Sequence, residues 1–142
     1  MKKILVPVDF SDVTSDLIEV ARRFANTFGS HVVLLNVLPP PHPIIPEAAQ
    51  KEPHLKEIIK DYNLLNALDI SLQEAGITAT IEQPEGHPVE VILEECKHHK
   101  ADMIIMGSHG HGALYNLLVG SVTEGVLKSA KCPVLVVPSK RE

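Results

Sequence analysis

Four stretches of this chain are almost wholly apolar and rich in β-branched residues, with little polar alternation: residues 3–8, 31–38, 102–106 and 133–138. A strand with one face in water alternates polar and apolar side chains, whereas a strand covered on both faces does not. Between these runs lie longer segments whose apolar residues recur every three or four positions, the spacing of a helix with one buried face. Strands covered on both sides and separated by amphipathic helices predict an α/β fold: a mostly parallel sheet with right-handed crossovers and helices on both faces.

In chain order, Ser11 is placed to cap a helix over residues 12–28, where Val13, Leu17, Val20, Ala21, Phe24 and Phe28 share a stripe and Gly29 supplies the stop. The second strand ends at Pro39-Pro40-Pro41. Residues 39–53 hold six of the eleven prolines, which predicts an extended loop. Pro53 then suits the first turn of the longest helix, with Leu55, Ile58, Ile59, Tyr62, Leu65, Leu68 and Leu72 as an ordinary core-facing stripe up to Gly76. Residues 77–81 alternate with period two and predict an edge strand. A helix over residues 88–99 turns Val89, Ile92, Leu93 and Cys96 inward and sets Lys97, His98, His99 and Lys100 at its negative end. Ser121 and Glu124 form the capping-box pattern at the start of a last helix, with Val122, Val126, Leu127 and Ala130 inward. The order is βαβαβαβαβ.

At 142 residues and 44% hydrophobic content, a single domain over residues 1–142 is expected. A net charge of −5 without a basic cluster argues against nucleic acid as partner. The apolar start is broken by Pro7 and Asp9, too short for a signal peptide or a membrane span, so a cytoplasmic protein is expected. Cys96 and Cys132 show no Cys-x-x-Cys spacing and predict reduced, buried thiols.

The chemistry concentrates after the fourth strand. Gly107 stops the run of residues 103–106, Gly110 and Gly112 follow, and Gly120-Ser121 opens the last helix. Glycine lets another group approach the main chain, and a helix N-terminus offers unpaired amides and a positive dipole end, so this segment suits an anion such as phosphate. Ala113-Leu114 stands where a P-loop needs Lys-Ser/Thr, and Tyr115 where a dinucleotide fingerprint needs its third glycine. In open parallel sheets ligands lie beyond the carboxyl ends of the strands where strand order reverses. If strands one and four meet there, Asp9 and Gly107 face one another.

Gly107-x2-Gly110-x9-Gly120-Ser121, with the opening Ile4-Leu5-Val6-Pro7-Val8-Asp9-Phe10-Ser11, Asn36-Val37 and Pro133-Val134-Leu135-Val136-Val137, resembles the nucleotide-binding branch of the universal stress protein family along the whole chain. The resemblance implies a flavodoxin-like or Rossmann-like five-stranded sheet of order 3-2-1-4-5, a site for ATP or AMP, and a homodimer through strand five, Val134–Val137. It implies that Asp9 contacts the adenosine and that Val37 meets adenine through its main chain, with Pro7 and Met106 lining the slot. Gly107, His109 and Gly110 would wrap ribose and phosphates, and Gly120, Ser121, Val122 and Thr123 would present the helix N-terminus. Gly112 is the departure from the pattern.

Simpler roles stay open at this point. Asp9 also suits an Asx turn and Ser121 a plain cap. His98 and His99, adjacent on a helix and about 100° apart, make a poor chelate. No aligned carboxylates or cysteines complete a set with these or with His109-x-His111, so no dedicated metal site is expected, and magnesium accompanying ATP would be held mainly by phosphates. Three functions compete: a nucleotide-occupancy sensor of the stress-response type, a slow ATP hydrolase using His109 or His111, and a nucleotide-free interaction module.

Overall fold

The computed structural model describes residues 1–110 and 118–139. Strands β1 (Lys3–Pro7), β2 (His31–Leu35), β3 (Ala79–Glu82), β4 (Met103–Gly107) and β5 (Val134–Val137) alternate with helices α1 (Thr14–Phe28), α2 (Glu47–Glu74), α3 (Pro88–His99) and α4 (Ser121–Ser129). The strands form one sheet in the order β3-β2-β1-β4-β5, with every pairing parallel. The chain therefore builds outward from β1 to β3, then crosses back to β4. Strand order reverses between β1 and β4.

Period two explains the unbroken apolar runs. Ile4, Val6, Val32, Leu34 and Ile105 face Leu17, Ala21, Leu65 and Leu72 of α1 and α2. Their neighbours Leu5, Val33, Leu35, Ile104 and Met106 face Ile92, Cys96 and Val126 of α3 and α4. Each such side chain stabilises the fold by roughly 1.5–3 kcal/mol relative to exposure, so both faces need apolar residues. The chain start is pinned to β4 because Asp102 Oδ2 accepts the amides of Lys2 and Lys3 at 2.8 and 3.0 Å. Those two bonds hold the Asp102 carboxyl below the usual carboxylate range. Among the described residues, no helix is long and apolar enough to cross a membrane.

Several local expectations are corrected. Ser11 does not cap α1: the helix begins at Thr14, no side chain caps it, and the Ser11 hydroxyl has no hydrogen-bond partner among the described residues. Gly29 does end it, at φ 65° with its amide on Ala25 O. Strand β2 stops at Leu35 because the buried Asn36 turns its Nδ2 to Val8 O (3.0 Å), although Leu38 still bridges to Glu85. Helix α2 begins at Glu47, inside the segment expected to be extended, and Pro53 lies within it. The signal was the wrong proline: Pro46 stands at the helix boundary, and the Gln50 side chain clamps the preceding turn by accepting His42 N (2.7 Å) and donating to His42 O and Ile45 O.

The α2 stripe is only partly core. Leu65 and Leu72 are buried, while Leu55, Ile59 and Tyr62 are 48%, 59% and 49% exposed, because α2 packs over the sheet edge at β3. The capping box is absent too. Gly120 occupies the cap position without a side-chain bond, Ser121 is the first helical residue, and Glu124 pairs with Lys128 at 3.2 Å. In its place the buried Thr123 donates from Oγ1 to Gly107 O at 2.7 Å, tying α4 to the end of β4. Leu127 points outward, 47% exposed. Both cysteines are free thiols, but only Cys96 is buried and Cys132 is half-buried.

Candidate functional site

All five strands point their carboxyl ends the same way, and α3 and α4 begin at that end, so the reversal between β1 and β4 leaves an opening there. A cavity of about 140 Å³ occupies it. Pro7, Val8 and Asp9 line it from the end of β1 and the turn after it, Leu35 and Val37 from the end of β2 and just beyond, and Met106, Gly107 and His109 from the end of β4 and the loop after it. Val13 at the start of α1 and Leu17 within it, Pro88 and Ile92 of α3 and Val122 of α4 close its sides. The walls are mostly apolar, and Asp9 is the one carboxylate among the described lining residues.

The chain leaves β1 through a strained turn. Phe10 has φ 61°, a left-handed conformation that costs a bulky residue roughly 1–3 kcal/mol. Asp9 Oδ1 closes this turn by accepting Ser11 N at 3.0 Å, so the Asx turn is present. The other oxygen faces β4: a Cβ built on Gly110 would lie 2.2 Å from Asp9 Oδ2, and one on Gly107 would lie 2.6 Å from Val13 Cγ1. These two glycines are places of close approach. Gly120 is not, since its φ is −74° and among the described residues an added Cβ would meet nothing nearer than 3.5 Å.

Beneath the loop, Ser108 fastens three segments. Its amide donates to Val137 O (2.8 Å), its carbonyl accepts Gly120 N (2.6 Å), and its hydroxyl meets His109 Nδ1 (3.1 Å) and Ser139 N (2.9 Å). Gly120's amide is thus already used within the protein, which removes it from the expected anion donors. The following amides belong to the first turn of α4, which has no helical carbonyl to bond. His109 is 5% exposed and Thr123 3%, so both are walls and braces more than exposed groups, while Ser121 is exposed at the rim.

The fold therefore brings Pro7, Asp9, Val37, Met106, Gly107, His109 and Val122 around one cavity, with Gly110 against Asp9 and Gly120, Ser121 and Thr123 at the start of α4. Sequence reasoning missed Val8, Val13, Leu17, Leu35, Pro88 and Ile92, apolar residues indistinguishable from core until the helices are placed. It also missed the brace at Asn36, whose Oδ1 accepts Gln83 Nε2 at 3.2 Å. His111 and Gly112 lie outside the described residues.

A second polar cluster sits away from the cavity, where β3 meets α3. His99 Nε2 lies 2.7 Å from Glu82 Oε1 and 3.3 Å from Glu95 Oε2, and the His98 and His99 rings meet edge to face at 5.0 Å. Among the described residues these three groups are close enough to share a cation, with ligand-type atoms within 4.8 Å of one another. They already satisfy one another as a hydrogen-bonded triad. The bond to Glu82 together with burial holds the Glu95 carboxyl above its ordinary range, whereas at Glu82 burial is outweighed by Glu95 and His99 and the carboxyl is lowered. Only the two histidines were visible in the sequence, because the facing carboxylate comes from the edge strand.

Comparison with known proteins bears on this geometry. Residues 1–138 match the model of the universal stress protein family. The chain is 34% identical over 144 residues to universal stress protein MJ0531 of Methanocaldococcus jannaschii, covering 99% of this chain and 84% of that protein. It superposes on the solved structure of MJ0577 from the same organism with a TM-score of 0.84 at 33% identity, over 99% of this chain and 98% of that one. A universal stress protein from Archaeoglobus fulgidus, solved in complex with dAMP, shares the fold at a TM-score of 0.72 and 20% identity, over 96% and 97% of the two chains.

Proposed function

The chain belongs to the universal stress protein family, and from that premise we propose that it binds an adenine nucleotide, ATP or AMP, in the cavity between β1 and β4 and acts by sensing occupancy. The observation that carries this reading is the apolar slot at the strand reversal, lined by Asp9 and Gly107, with Gly110 packed directly against the Asp9 carboxylate. The dAMP bound by the Archaeoglobus fulgidus relative supports the choice of ligand class.

The residues fit the parts of such a ligand. About 140 Å³ is below the roughly 300–1,000 Å³ of sites that enclose whole ligands. It suits a planar base between Pro7, Val37 and Met106, with sugar and phosphates lying outward along the rim. Asp9 would accept from ribose hydroxyls, and the buried hydroxyls of Ser11 and Thr14, which have no partner among the described residues, lie close by in the chain. Phosphates would meet the Gly107 to Gly110 backbone, with His109 held beneath it, and the first turn of α4 at Ser121, Val122 and Thr123. One helix dipole adds only ~0.3–1 kcal/mol, less than tenfold in affinity, so burial of the base and Asp9 must supply the rest. Magnesium, if it enters with ATP, would be held by phosphates, since among the described residues Asp9 alone lines the cavity as a carboxylate.

The hydrolase alternative draws little support: the imidazole of His109 is buried against Ser108. The interaction-module alternative is favoured by one observation, the exposed Leu55, Ile59 and Tyr62 on α2. We place the protein in the cytoplasm as one domain, and as a homodimer through β5, whose outer edge carries no strand among the described residues.

Denaturing the purified protein and chromatographing the supernatant should release an adenine nucleotide. Calorimetry on stripped protein should show saturable ATP or AMP binding that Asp9→Ala and Gly110→Val abolish while circular dichroism is unchanged. A nucleotide-free preparation with no heat of binding would overturn the proposal in favour of the interaction module. Sustained ATP turnover would favour the hydrolase.

A further inference from the structure

At the opposite end of the sheet from the cavity, the last turn of α3 meets the turn between α4 and β5. There Cys96 Sγ and Cys132 Sγ lie 3.2 Å apart, although 36 residues separate them in sequence. We propose that this pair is a thiol–disulfide exchange site whose co-substrate is a low-molecular-weight disulfide bearing carboxylates.

The two sulfurs are unequal. Cys96 is buried, and desolvation together with its neighbour Cys132 pushes its thiol up to about 12. Cys132 is half-buried on the turn before β5, the more accessible of the two cysteines that line a surface cleft. Lys97, Lys100 and Lys131 line that cleft, against one carboxylate, Glu94. Three ammonium groups lining the cleft favour an anionic reagent.

The step balances without a further reagent. The Cys132 thiolate attacks one sulfur of the incoming disulfide, forming a mixed disulfide and expelling the first small thiolate, which takes up the proton lost from Cys132. Cys96 then attacks Cys132 Sγ, its proton leaving with the second small thiol. Two protein thiols are oxidised, one disulfide is reduced to two thiols, and the protein sulfurs close to the roughly 2.05 Å of a covalent bond. The bond would bracket β4, the glycine loop and α4 in one covalent loop.

The test uses reduced, full-length protein incubated with glutathione disulfide and quenched by alkylation. Expected are an intact mass lower by two hydrogens, loss of both titratable thiols, and a cross-linked peptide pair carrying Cys96 and Cys132. Cys96→Ser should trap one glutathionyl group on Cys132, and Cys132→Ser should remain unmodified over the same period. Should Cys96→Ser fail to fold, the quenched time course of the unmutated protein shows the same transient adduct. The rate should fall roughly tenfold from low to high salt with glutathione disulfide and stay constant with uncharged hydroxyethyl disulfide. Retention of both thiols, a stable adduct on the unmutated protein, a bond between two chains, or equal salt dependence of the two reagents would overturn the proposal.

Discussion

Gly110 and Gly120 look equivalent in the sequence, yet each is glycine for its own reason. A methyl at Gly110 would collide with the Asp9 carboxylate, whereas one at Gly120 would make only ordinary contacts. Gly110→Ala should therefore displace Asp9 and lower nucleotide affinity at least about tenfold, equivalent to about 1.4 kcal/mol, with the melting temperature little changed. Gly120→Ala should cost about 1 kcal/mol of stability or less, as a cap substitution, and leave affinity near its original value. Paired calorimetry and thermal melts on the two variants check this. Ser121→Ala separates the two roles first assigned to Ser121: with no side-chain cap bond to lose, stability should stay within ~0.5 kcal/mol. The sequence marked these positions because glycine is rare where nothing requires it. It could not distinguish close approach from a helix boundary, which depends on where α1 brings Val13 and where the turn brings Asp9.

Elements differed in how legible they were. The inner strands announced themselves because burial on two faces tolerates only apolar residues, and α3 kept its bounds because Pro88 starts it and Lys100, at φ 54°, ends it. Helix α2 was the least legible. Its composition satisfies a helical stripe, but an edge strand of four residues cannot cover the whole of it. Leu65→Ala should thus cost about 2–5 kcal/mol by leaving a cavity, while Ile59→Glu should stay within ~0.5 kcal/mol. Urea unfolding of both variants measures the difference. A large loss for Ile59→Glu would mean that α2 is covered by something beyond this chain. The β3–α3 triad makes a parallel case: removing the imidazole by His99→Ala leaves two carboxylates facing each other, and should destabilise the protein more than His98→Ala does.

For the whole molecule, the pH response follows from groups that differ between folded and unfolded chains. Burial, with Lys3 and His99 nearby, holds His31 below its ordinary range. The unfolded chain therefore takes up that proton first as pH falls. The stability tied to neutral His31 is complete above about pH 6.5 and declines as pH drops through the lowered folded value. Denaturation midpoints should decrease from about pH 7.5 to about pH 5.5, and His31→Gln should flatten that slope. Glu95, raised in the fold, acts in the other sense, its contribution being present at low pH and lost as pH rises through its folded value. At the sheet margin, β5 offers an apolar ladder, and pairing it with a second copy would remove an exposed edge. Val136→Lys should halve the mass seen by light scattering, and an unchanged mass would place any dimer elsewhere.

The central claim is spatial, that an adenine nucleotide enters at the reversal between β1 and β4, and amide chemical-shift mapping tests it most directly. Titrating isotopically labelled protein with AMP should move the resonances of Asp9, Val37, Gly107, Gly110, Val122 and Thr123 together and saturably. Saturable shifts confined to α2 or to the β3–α3 cluster, with those amides unmoved, would contradict it.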